Sequence, residues 1–129
     1  MKEEFNQMGK KDKTEAILEL EKQIAGAVWL QAIGQAAEAV LFSKSLTLKN
    51  ESGPENDGKR KVEAGLWIQT IGQTMEALGV SSELSTPGAL LSTAPRMIIT
   101  GDLLQSAGAA IEASGGIEVL AVREGEFLP

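Results

Sequence analysis

Apolar residues recur along much of the chain at intervals of three and four, the spacing of a helix that buries one side. With about 100° of turn per residue, AVWLQAIGQAAEAVL puts Trp29, Leu30, Ile33, Ala36, Ala37, Val40 and Leu41 on one broad arc. Gln31, Gln35 and Glu38 fall opposite. A strand would need strict alternation, which AIGQAAEAV lacks, and its alanines favour helix. The pattern predicts a helix buried through the wide apolar arc.

The same pattern occurs three times. AVWLQAIGQAAEA from Ala27, GLWIQTIGQTMEA from Gly65 and GDLLQSAGAAIEA from Gly101 align at spacings of 38 (Trp29 to Trp67) and 36 (Gly65 to Gly101) residues. The match extends outward through Lys22, Arg60 and Arg96, and through Leu46, Leu84 and Leu120, giving units at about 22–46, 60–84 and 96–120. Such a period marks a repeat architecture in which each unit needs its neighbours to bury its apolar face. The expected fold is therefore all-α: a small, compact helical bundle built from three homologous helical repeats, with the first helix extended at its N-terminus.

That first helix reads as running from about 14 to 47, with Thr14 as cap ahead of an acidic first turn. Residues 1–13 then form a flexible N-terminal segment, 14–122 a single helical-repeat domain, and 123–129 a C-terminal tail. GIEVLAVREGEFLP, at the end, reads either as a continuation of the helix or as an extended tail. LTLKNESGPENDGK is loop by composition. LSTPGALLSTAPR carries Pro87 and Pro95 around a short apolar piece, Ala89 to Leu91, that fits one helical turn over the end of the bundle. An extended connection of about 12 residues reaches roughly 40 Å, enough to join parallel neighbours as well, so both orders stay open, with up-down packing the prior. Ile17, Leu18 and Leu20 lie beyond the reach of the shorter partners, which points to self-association or a protein partner.

A glycine inside a helix costs about 1 kcal/mol relative to alanine, so Gly34, Gly72 and Gly108 need a reason. One heptad earlier stands another small residue: Ala27, Gly65 or Gly101. Each helix thus carries a small-residue packing groove, and Trp29 and Trp67 are candidates to fill it. Beside the groove, Gln31 and Glu38, Gln69 and Glu76, and Gln105 and Glu112 stand seven apart on one face. Two readings stay open for these six. They either hydrogen-bond across helix contacts and set the packing register, or converge on a polar site for a small ligand or for a hard cation held by carboxylates.

Composition narrows the chemistry. The chain of 129 residues has neither Cys nor His, which removes thiolate catalysis, disulfides, Cys- or His-ligated metal and any Ser-His-Asp arrangement. Neither a phosphate-binding loop nor a dinucleotide fingerprint follows a strand. A non-enzymatic protein without a cofactor is expected. The net charge of −6 opposes nucleic acid as a partner. The Lys10, Lys11, Lys13 and Lys59, Arg60, Lys61 clusters are short and flanked by acids, as solvated helix surface is. MKEEFNQMGKKDK lacks the apolar core of a secretory signal, so a cytoplasmic location is expected. Ile24 to Phe42 has the small-residue edge of a membrane helix, but Gln31, Gln35 and Glu38 oppose its insertion.

The unit G-x-W-[IL]-Q-x-I-G-x-x-x-E-A, complete at residues 65–77, resembles the repeated motif of small helical proteins of Gram-positive bacteria. The first copy has Ala27 for the leading glycine, and the third lacks the tryptophan. The resemblance implies a bacterial cytoplasmic setting and carries over no assigned activity. The functional expectation is a binding or scaffolding module that forms a homo-oligomer or meets a protein partner through apolar helix surface. Ligand or cation binding at the Gln/Glu positions comes second and membrane association third.

Overall fold

The computed structural model describes residues 2–85 and 93–127, which form three helices: α1 (Lys2–Lys49), α2 (Pro54–Ser85) and α3 (Thr93–Phe127). No strand occurs among the described residues. The protein is an all-α helical bundle, and each helix contains one repeat unit.

The helices are longer than the sequence pattern indicates. The 48 residues of α1 span about 72 Å and the 32 of α2 about 48 Å at 1.5 Å per residue. The expected N-terminal segment is already helical from Lys2, and Thr14 is therefore no cap. Its Oγ1 donates instead to the Lys10 carbonyl at 2.8 Å, inside the helix. At the other end α3 continues to Phe127 and takes in Ile117, Val119 and Val122.

The first connection shrinks to residues 50–53. Asn50, with φ 47°, turns the chain out of α1 while its N–H donates to the Leu46 carbonyl at 3.0 Å. Gly53, with φ 105°, accepts from the Asp57 N–H at 3.0 Å, and Pro54 follows as the first helical residue. Glu55 and Asp57 sit in the first turn, where negative charge suits the helix dipole. The polar residues that resemble loop by composition are a helix start. The apolar piece from Ala89 to Leu91, with Pro87, lies outside the described residues.

α2 lies between its neighbours, and the backbones of α1 and α3 do not approach one another among the described residues. The bundle is thus an open layer of three antiparallel helices rather than a closed compact one. Its core is made of small side chains: Ala25, Val28, Ala32 and Ala39 from α1, Leu66 and Ala77 from α2, and Ala94 from α3. Leu66 is the largest side chain fully enclosed among the described residues.

This corrects the expected orientation of α1. Leu30, Ile33, Val40 and Leu41 of the apolar arc are exposed, Leu30 by 71%. Gln35, expected on the opposite side, is half-buried against α2. Small residues let a neighbouring helix pack closely, and it is the small side chains of α1, Ala25, Ala32 and Ala39, that are buried. α2 packs on the neighbouring face of Val28, Ala32 and Ala39, which meets the arc only at the half-buried Trp29 and Ala36.

Candidate functional site

Two kinds of helix face build the molecule, and each is shared by equivalent residues of successive repeats. The first, between α2 and α3, is a glycine face. A Cβ built on Gly72 would lie 2.5 Å from the Gly101 carbonyl oxygen, and one on Gly101 would lie 2.5 Å from that of Gly72. Gly65 faces Gly108 and Gly58 faces Gly115 in the same way, each with a backbone oxygen 2.9 Å or less from the added carbon. One heptad further, Gly79 meets Ala94 and Ile98. Three successive layers thus leave no room for a side chain, and the fourth sets Gly79 against the small Ala94. The propensity cost of these glycines is offset by backbone contact along the whole pair.

The repeated Gln and Glu flank that seam. Gln69 Nε2 donates to Glu112 Oε2 at 2.6 Å, and Gln105 Nε2 donates to Glu76 Oε2 at 2.8 Å. Because Gln69 corresponds to Gln105 and Glu76 to Glu112, the two bonds are related by a local two-fold axis between α2 and α3. They fix the register of a seam that glycines alone would let slide.

The second kind, between α1 and α2, is an alanine face. Val28, Ala32, Gln35, Ala39 and Ser43 of α1 correspond by repeat position to Leu66, Thr70, Gln73, Ala77 and Ser81 of α2, and these two sets face each other. Trp29 Nε1 donates to Ser81 Oγ at 2.7 Å and Trp67 Nε1 donates to Ser43 Oγ at 2.9 Å, again a reciprocal pair. Thr70 Oγ1 donates to the Gln35 carbonyl at 3.2 Å, and Gln73 Nε2 donates to Gln31 Oε1 at 3.1 Å. The Gln35 side-chain nitrogen is buried without a partner.

The six Gln/Glu positions are consequently not gathered in one site. Four form the α2–α3 register pair. Gln31 takes a bond from Gln73, and Glu38 stands exposed on α1. No group of three or more acidic side chains fit to hold a metal ion occurs among the described residues. The indoles of Trp29 and Trp67 bridge the alanine face instead of filling the glycine groove, which backbone fills. Ala27 and Gly34, the α1 members of the groove, are exposed, and a Cβ on Gly34 would have nothing within 4 Å.

Ser43 and Ser81 stand out only with the structure, although their spacing of 38 residues matches that of Trp29 and Trp67 and is visible in the chain. They also explain the third copy. At the alanine-face positions α3 has Asp102, Ser106, Ala109, Ala113 and Ile117, all exposed, and Leu103 replaces the tryptophan. Among the described residues α3 makes no alanine-face contact, and it retains neither the indole nor the serine that such a contact uses.

At one end of the layer, Leu18, Glu21 and Ile24 of α1 border a cleft of about 360 Å³ with Val80, Glu83 and Leu84 of α2 and Ile98 of α3. At the other end, Arg123 Nε donates to Glu55 at 2.8 Å, and Lys59 approaches the same carboxylate at 3.6 Å. Lys61 pairs with Glu118 nearby. The Glu55 carboxyl is held below the ordinary carboxylate value, chiefly by the Arg123 hydrogen bond.

Fold and faces together define an open three-helix repeat protein whose helices pair through equivalent surfaces. No family model, curated protein or solved structure is significantly similar to the chain.

Proposed function

We propose that the protein is a non-enzymatic scaffolding module that acts by self-association through the exposed apolar surface of α1. The observation that carries this reading is the extent of that surface. The chain exposes 9010 Å², whereas a compact monomer of 13.6 kDa exposes about 6,600 Å². Ile17, Leu20, Ile24, Leu30, Ile33 and Leu41 are each between 47% and 71% exposed along one helix. Isolated surface leucines are ordinary, but six large apolar side chains exposed along one helix mark an interaction surface. A stable interface hides about 600–1,000 Å² per partner, well within the excess. Sedimentation or light scattering tests the reading: a defined oligomer is expected, and a strict monomer at all concentrations refutes it.

The same row supports a second reading, a membrane-facing helix. α1 contains a stretch within Gly9–Lys49 that is long and apolar enough to cross a bilayer, 22% of it buried. Gln31, Gln35 and Glu38 within that stretch oppose spanning. Flotation with liposomes separates the readings, since a self-associating scaffold stays with the soluble fraction.

A further inference from the structure

We propose that the glycine face of α1 is covered by the same face of α1 from a second copy, in an antiparallel two-fold dimer; this rests on the self-association reading and specifies its interface. In α2 and α3 that face is occupied, each by the other, and the residues that meet are repeat equivalents. Gly65 opposes Gly108, Gly72 opposes Gly101, and Gln69 and Gln105 reach Glu112 and Glu76. A surface that pairs with its own repeat is self-complementary, which is what an isologous dimer requires.

α1 carries the same set with no helix packed on it among the described residues; its one bond there is the one that Gln31 Oε1 accepts from Gln73. Ala27, Gln31, Gly34 and Glu38 occupy the equivalent positions, and all four are exposed. Transferring the α2–α3 geometry to two copies of α1 sets Gly34 against the partner's Ala27, and Gln31 against the partner's Glu38, twice. Each Glu38 then meets an amide donor rather than another carboxylate. Leu20 and Leu41 take the outer layers where α2 and α3 have glycine or alanine. Two α1 helices would therefore touch at Ala27 and Gly34 and spread apart toward each end, with Leu20 packed on the partner's Leu41.

The other open end of the layer argues for two copies and no more. A chain with two free self-complementary faces would polymerise, but the free alanine face of α3 carries Asp102 at the position of Val28 and Leu66. In the register of the α1–α2 face, where Val28 meets Ala77, each Asp102 would lie over the partner's Ala113 and bury a carboxylate without a partner, which opposes that pairing as the polar outer surface of a capping repeat does.

Gly34→Leu tests the proposal cleanly, because nothing in its own chain lies within 4 Å of a Cβ there. The variant should keep the wild-type helicity and melt no lower at dilutions where both proteins are monomeric. Its dimer dissociation constant should rise by about a hundredfold, since the clash occurs twice in a symmetric interface. Gln31→Cys, introducing the sole thiol of the chain, should cross-link pairs of chains on oxidation, whereas Ala109→Cys on α3 should not. If Gly34→Leu dimerises as tightly as the wild type, or Ala109→Cys cross-links in preference, the α1 pairing is overturned while self-association stands. A wild-type protein that remains monomeric at about 1 mM overturns both.

Discussion

Gly72 and Gly101 meet backbone to backbone, so closely that a Cβ on either would lie 2.5 Å from the carbonyl oxygen of the other. Most helix pairs interlock side chains and keep their axes 8–10 Å apart. Here the repeated heptad glycines remove the side chains, and the backbones of α2 and α3 come into direct contact.

A test of that seam lies in two adjacent residues. A Cβ on Gly115 would lie 2.5 Å from the Gly58 oxygen and 2.7 Å from the Val62 nitrogen, while one on Gly116 would meet nothing within 4 Å. Gly115→Ala should destabilise the fold by about 1–3 kcal/mol through overpacking against backbone. Gly116→Ala should stabilise it by about 0.5–1 kcal/mol, because alanine is the better helix former. Urea unfolding of the two variants should give changes of opposite sign. Equal signs would show that the α2–α3 distance differs from the one described.

The repeat made much of this legible. Helix type, the three units, the glycine heptads and the Gln-Glu spacing are all readable in the chain, because each depends on local periodicity. Which side of α1 faces inward was not. Hydropathy ranks Leu30 and Ile33 above Ala32 and Ala39 as core, yet the alanines are buried and the larger residues exposed. Close helix approach is a property of pairs of faces, and one helix read alone does not contain it. The start of α2 was obscured for a related reason, as Pro54, Glu55 and Asp57 suit both a loop and a first helical turn.

The reciprocal bonds from Gln69 to Glu112 and from Gln105 to Glu76 should behave as two copies of one interaction. Both are half-buried and charge-assisted, so Gln69→Ala and Gln105→Ala should each cost about 1–2 kcal/mol. A double-mutant cycle of Gln105→Ala with Glu76→Ala should return a coupling of about 1 kcal/mol, and a cycle of Gln105→Ala with Glu112→Ala a much smaller one. Equal couplings in the two cycles would contradict the pairing.

The indole bonds of the alanine face are equivalent by repeat but unequal in setting. Trp29 is half-buried against the Val28, Ala32 and Ala77 cluster, whereas Trp67 is 39% exposed. Water can replace the partner of Trp67 but reaches that of Trp29 less easily. Ser81→Ala should therefore cost about 1 kcal/mol, and Ser43→Ala only a few tenths. Tryptophan fluorescence during denaturant unfolding reports both, and a larger loss for Ser43→Ala would reverse the assignment of the inner and outer indoles.

Acid should loosen the layer first where α2 begins and α3 ends. There the Arg123 guanidinium, and after it Lys59, hold the Glu55 carboxyl below its ordinary value of 4.5. A carboxyl whose folded pKa is depressed binds protons more readily in the unfolded chain. Its contribution to stability is complete above about pH 4.5 and disappears as pH falls through the lowered folded value. The stability difference between the wild type and Glu55→Gln should accordingly be constant near neutral pH and shrink in acid. Because Glu55 lies at the surface, added salt should diminish the same difference by screening. Hydrogen exchange resolved along the chain should show the amides near Asp57 and Arg123 opening before those near Gly72 as pH is lowered. A Glu55→Gln variant whose deficit persists unchanged into strong acid would mean that the loss comes from packing and not from the carboxylate charge.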